Sequence, residues 1–394
     1  MNKIFFFLET PLTFRDYKRF GLDSYIKNGF DCNILDFTRL FNINYLEYKN
    51  SADLMFEKTM IIKDNATLIS SLNKIPKNSI IISQIYPNFK TRFLFENLDS
   101  RNLRYGFVFA GIIPFSLVSN STLLNKITSV LVNPLKILSA LKNFLLNKSP
   151  SIRCNPYFIM YAGKKVKSYY RFKPTLKTKL IKCNSYDYDS FLEEERSNKN
   201  SQIKKDYILF LDEYVPFHPD NLINNNVLNA NPETYYLLLN NYFDKIERET
   251  ALNVVIAAHP RSEYELIGDK YCGRKVLKNN TPNLVKFSKF VIAHSSTSIS
   301  YAILYQKPLS IIYSDDYSIR FKKVISMISN ELNVNPYEIS NSNLDEFKSH
   351  ILSLKKFKEK SSYSNYINNY MSELSNPKVK TSEIFISFLE KNEI

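Results

Sequence analysis

Two segments in the second half of the chain place reactive side chains directly after short apolar runs. Val254–Ala258 is followed by His259, Pro260 and Arg261, and Phe290–Ala293 is followed by His294, Ser295, Ser296, Thr297 and Ser298. In the first cluster the proline fixes the backbone beside an imidazole, and the guanidinium is suited to phosphate. In the second, hydroxyls and free backbone N–H groups precede an apolar helix through Ile299, Tyr301, Ala302 and Leu304, where the helix dipole favours an anion. The two clusters lie some 35 residues apart, each at the end of a strand-like run. Together they predict a nucleotide-phosphate site that uses no glycine loop.

Acid–base candidates stand at other strand ends. Tyr207–Leu211 runs into Asp212 and Glu213, followed by His218, Pro219 and Asp220. Asp212 or Glu213 would deprotonate an acceptor hydroxyl or organise a donor, with His218 as a second acid or base. The same acidic stretch also reads as a loop capping the helix that begins near Pro232. Glu9, after the first apolar run, is a further candidate base. His294 either touches phosphate or shapes its turn, His350 belongs to the surface, and Asp315 with Asp316 reads as a solvated loop pair.

Several chemistries are excluded. With seven glycines the chain contains neither G-x-G-x-x-G nor G-x-x-x-x-G-K-[ST], which removes the glycine-rich dehydrogenase and P-loop types. Cys32, Cys154, Cys183 and Cys272 are widely spaced, so neither a zinc module nor a disulfide framework is expected. No repeat of 20 to 50 residues is visible, so solenoids and propellers are out.

The elements that must position these residues follow from the alternation of short apolar runs with longer periodic segments, the pattern of a parallel α/β sheet. Strands are expected at 3–8, 32–35, 59–62, 79–85 and 107–110, and again at 207–211, 254–258, 275–277, 290–293 and 309–313. These make two Rossmann-type sheets facing a central cleft. The chain's 394 residues, 44% of them hydrophobic, suffice for two cores. The expected domains are residues 1–185 and 206–394, joined by a polar linker at 186–205, with the terminal helices in the second domain.

Charge is unevenly distributed. The formal net charge is +15, and from Arg101 to Lys182 there are 15 Lys or Arg and no Asp or Glu. Within this block residues 115–148 read as two basic amphipathic helices broken at Pro134, which suits an anionic membrane surface. Nucleic acid is not expected as a partner, since charge is the one feature that favours it. No export signal is expected at the amino terminus, and the uncharged stretch Tyr105–Asn125 holds too many Gly, Pro, Ser and Asn residues for a spanning helix to be expected.

The H-P dipeptide at His259-Pro260, the S-S-T motif at Ser295–Thr297 and the later Lys307-Pro308 resemble the carboxy-terminal half of bacterial sialyltransferases and polysialyltransferases of GT-B fold. The likeness covers about residues 206 to 315. CDP-glycerol polymerases of teichoic acid synthesis are similar in the same motifs. The resemblance implies a CMP-activated acidic sugar donor of the sialic acid, nonulosonate or Kdo type, and transfer to a surface polysaccharide or lipid-linked glycan. His259 and Pro260 would contact the CMP moiety and Ser295, Ser296 and Thr297 its phosphate. No redox cofactor or metal is implied. Location at the inner face of the cytoplasmic membrane follows from the basic block. The acidic pair followed by glycine that serves those sialyltransferases as a base is missing from the first half, so the base stays among Asp212, Glu213, Glu9 and His218. A CDP-polyol phosphotransferase and a noncatalytic polysaccharide-assembly protein are the alternatives.

Overall fold

A computed structural model of the chain describes residues 2–43, 45, 54–114, 154–170, 172–197, 199–218, 228–357, 361–375 and 377–392. The first domain is built on β1 (Lys3–Leu8), β2 (Asp31–Asp36), β3 (Thr59–Ile61), β4 (Ile80–Ser83), β5 (Arg104–Phe109), β6 (Phe158–Tyr161) and β7 (Lys179–Lys182). The second contains β8 (Tyr207–Leu211), β9 (Asn253–Ala257), β10 (Val276–Leu277), β11 (Phe290–Ala293), β12 (Leu309–Tyr313) and β13 (Tyr337–Glu338). The strand orders are β3-β2-β1-β4-β5-β6-β7 and β10-β9-β8-β11-β12-β13, with parallel pairing throughout.

The apolar runs are continuous because both sheet faces are covered by packed side chains. In β1, Phe5 and Phe7 enter one core while Ile4, Phe6 and Leu8 enter the other. β8 is buried along its whole length. This is the expected pair of Rossmann-type sheets, with β6, β7 and β13 added to the strands read from the sequence.

Two boundaries differ from the expectation. The segment expected as a linker begins with a helix, Tyr186–Ser197, in which Tyr186, Asp187 and Glu194 are buried. The last helix, Thr381–Lys391, belongs to the first domain's core, into which it inserts Phe385, Ile386 and Leu389. Two glycines permit the returning chain to approach. A Cβ on Gly163 (φ 85°) would lie 2.3 Å from the Asn369 carbonyl oxygen, and one on Gly21 (φ 71°) would lie 2.6 Å from Ser382 Cβ. The basic amphipathic segment 115–148 lies outside the described residues. Among those described, no helix is long and apolar enough to cross a membrane.

The return of the terminal helix generates a prediction. Phe385 is fully buried, with its ring centroid 4.5 Å from that of Phe158. Phe385→Ala should lower the stability of the full chain by about 3–5 kcal/mol in urea denaturation. Leu237→Ala, at a site 61% exposed, should change it by no more than about 0.5 kcal/mol. Equal effects would mean that the last helix does not support the fold.

Candidate functional site

In parallel sheets every strand delivers its carboxyl end to one edge. β9, β8 and β11 are neighbours, and the strand order reverses between β8 and β11. Their carboxyl ends carry His259, Asp212–Glu213 and His294–Ser298. An interdomain cavity of about 620 Å³ opens there, lined from the second domain by Asp212, His259, Pro260, Ser296, Thr297 and Ser298. The first domain contributes Phe14, Arg15, Lys18 and Arg19, and the connecting helix contributes Asp187 and Ser190.

His259 is a neutral donor. Its Nδ1 accepts the Arg261 backbone N–H at 3.2 Å, which leaves the proton on Nε2. Burial, and then the positive charge or potential charge of His218, Arg261, Arg15 and Arg19, holds its pKa down at about 2. His218 meets it edge-on, with centroids 4.8 Å apart, and lies 3.5 Å from Arg261 Nη2. Neither His218 nor Arg261 is among the residues lining the cavity.

Both acidic neighbours from β8 have internal partners. Asp212 is buried. Its Oδ1 accepts the Tyr214 N–H at 2.8 Å and its Oδ2 accepts the Tyr264 hydroxyl at 2.7 Å. Burial raises its pKa against these hydrogen bonds. Glu213 reaches across the switch point to Ser295, whose N–H and hydroxyl donate to its two oxygens at 2.5 and 3.0 Å. Burial pushes Glu213 up to about 7, opposed by those bonds.

This geometry corrects several expectations. The donors of Ser295 face an internal carboxylate in place of a ligand phosphate, while Ser296 and Thr297 remain on the cavity wall. His294 is fully buried. Its Nδ1–H donates to the Ile312 carbonyl at 2.9 Å and its Nε2 accepts the Tyr235 hydroxyl at 3.2 Å. Burial lowers its pKa to about 4, so it is a neutral core residue and contacts no phosphate. His350 leaves the surface as well, stacking on Tyr337 at 4.5 Å and pairing with Ser310 at 2.9 Å. Glu9 lies off the cavity, near Asn42 and Lys90, with its pKa raised by burial. Asp315 is exposed and paired with Lys322.

The sequence reading missed the cations of the first domain. Thr13 caps the helix Phe14–Arg19 by accepting the Asp16 N–H at 3.1 Å. The i, i+3 and i+4 spacing then puts Arg15, Lys18 and Arg19 on one face. The available signal was their position just after the first strand of a parallel sheet.

The two parallel sheets and the cleft between their carboxyl edges define the GT-B class of architecture. No protein-family model matches the sequence, and no curated protein matches it. Among solved structures the chain is similar to the Methanocaldococcus jannaschii UDP-GlcNAc 2-epimerase in complex with UDP-GlcNAc and UDP. The TM-score is 0.51 and the identity 12%, with 99% of each chain covered. S. aureus MnaA bound to UDP gives a TM-score of 0.50 at 12% identity, covering 100% of this chain and 98% of that one. The spinosyn rhamnosyltransferase SpnG complexed with thymidine diphosphate gives 0.50 at 9%, covering 99% and 100%. At these identities the likeness is one of fold.

Glu213 should leave a signature in stability. Its native pKa of about 7 exceeds the ordinary 4.5, so the folded chain binds the extra proton between these values and stability falls as pH rises through that window. Glu213→Gln removes the titration. The variant should gain on wild type by up to about 1.4 kcal/mol per pH unit from pH 5 to 7, read by urea denaturation. A pH-independent difference would contradict this ionisation.

Proposed function

We propose that the chain is a glycosyltransferase that takes a CMP-activated acidic sugar of the sialic acid, nonulosonate or Kdo type. It transfers that sugar to a bacterial surface polysaccharide or lipid-linked glycan. The observation that carries this reading is the cavity itself. It lies between the carboxyl edges of two parallel sheets, and its wall combines a neutral imidazole, the hydroxyl residues Ser296, Thr297 and Ser298, and cations from the opposite domain. The resemblance at His259-Pro260 and Ser295–Thr297 directs the reading to CMP.

In this scheme His259 Nε2–H donates to the nucleotide phosphate, with Ser296 and Thr297 beside it. The charge that develops on departing CMP is stabilised by these fixed dipoles and by the cationic wall. Asp212 is the favoured base, because among Asp212, Glu213 and Glu9 it alone lines the cavity, and burial raises its pKa toward the working range. Tyr264 and the Tyr214 N–H, with further hydrogen bonding from Tyr271 and the His259 backbone, hold the carboxylate in place on the cavity wall. The acid-free block from Arg101 to Lys182 supports attachment to an anionic membrane surface on the cytoplasmic side.

The test is nucleotide release by purified full-length protein with acceptor extract: CMP from CMP-sugars, CDP-glycerol or CDP-ribitol, and UDP from UDP-GlcNAc. Release from a CMP-sugar is expected. Release from a CDP-polyol would instead identify a phosphotransferase, and CMP binding without turnover a noncatalytic assembly protein. Asp212→Asn should lower turnover at least about 100-fold while CMP affinity holds. His259→Ala should weaken CMP binding about 10-fold. Unchanged CMP affinity in the His259 variant would remove that residue from the site.

A further inference from the structure

Four cations line the interdomain cavity, and three of them already have carboxylate partners. Lys18 pairs with Asp23 at 2.6 Å, Arg19 with Asp187 at 2.9 Å and Lys278 with Glu265 at 3.4 Å. Arg15, also on the wall, forms no ion pair among the described residues. It nevertheless stands beside Arg19, whose charge, ahead of burial, lowers the Arg15 guanidinium to about 10. Asp16 and Asp187 offset part of this, but Asp187 forms no ion pair with Arg15, and its Oδ1 already accepts from Arg19 and from the Tyr301 hydroxyl at 3.4 Å.

A guanidinium held against a second one in a largely buried wall is unfavourable until an anion joins it. Arg15 belongs to the first domain, while His259, Ser296 and Thr297 line the cavity from the second, and its field reaches His259. The nucleotide phosphate has its donors on the second-domain side, so Arg15 is left for another anion in the same ligand. A cavity of about 620 Å³ is of the size that holds drug-sized ligands. The planar guanidinium matches a carboxylate in bidentate fashion.

We infer that Arg15 binds the carboxylate of the transferred group and thereby selects donors that carry an acidic sugar over those carrying a neutral sugar or a polyol. This rests on the transferase reading above and specifies how its donor class is recognised.

The test is a binding cycle on the full-length chain by titration calorimetry. The probes are CMP, CMP-N-acetylneuraminate, its carboxylate methyl ester and CMP-Kdo. Wild type should bind at least one of the free acids more tightly than CMP. Arg15→Ala should weaken that acid about 10- to 100-fold while CMP and the ester stay within about twofold. Arg15→Gln should repeat the pattern. Both variants should melt at or above the wild-type temperature, because each removes a like charge from beside Arg19. Equal losses for CMP and the acid would place Arg15 on the phosphate and overturn the inference. So would indifference to the substitution, or wild-type affinity for the acids no higher than for CMP. Wild type that binds no CMP at all would instead overturn the transferase reading, and this inference with it.

Discussion

The chain crosses between its two domains twice, and the two crossings are hydrogen-bonded to each other. Asn184, fully buried, donates from Nδ2 to the Val379 carbonyl at 2.8 Å and accepts the Ser372 hydroxyl at 2.9 Å. Its own carbonyl accepts the Thr381 hydroxyl at 3.0 Å, and both oxygens of Asp189 accept the Thr381 N–H, at 3.1 and 3.0 Å. Buried amides and carboxylates are tolerated when so satisfied and are destabilising when one partner is lost. This knot sets where the second sheet stands relative to the first. The distance between Arg15 on one wall and His259 on the other follows from it.

Within that frame the site separates groups that serve the fold from groups that face the cavity. Glu213 and the Ser295 donors neutralise each other across the strand switch point, and His294 is spent on core hydrogen bonds among aromatic rings. What remains on the surface of the cavity is a neutral imidazole, hydroxyls, the oriented carboxylate of Asp212 and cations. Low polarity enhances every charge there. The same burial that keeps His259 uncharged also raises the pKa of Asp212.

The cationic wall acts on both sides of the cleft. Arg19 is anchored by Asp187 on the connecting helix, which places the first domain's short helix against the chain that leads into the second domain. Any motion of the domains about the crossings would move Arg15 and Lys18 relative to the strand ends opposite. Recognition of an anion by both walls would therefore favour the arrangement in which the walls are close.

Much of this was legible in the amino-acid order. Short apolar runs ending in His259-Pro260 and Ser295–Thr297 identify parallel strands and the edge that gathers chemistry, because strand period and strand direction are local properties. β8, β11 and β12 fall where the apolar runs place them. The sequence alone did not reveal the use of each polar group. Ser295 looks like a phosphate ligand until Glu213, 82 positions earlier, is brought onto its N–H, and His294 looks exposed until Tyr235 and Ile312 close around it. Arg15 is unremarkable in its own segment and, among the described residues, becomes the cavity cation without an ion pair once three neighbouring charges find partners. The return of Thr381–Lys391 to the first core is equally invisible from its own residues. Local pattern determines which elements form, whereas partner choice among buried polar groups and charges depends on which distant side chain arrives first within about 3 Å, and the tertiary fold alone decides that.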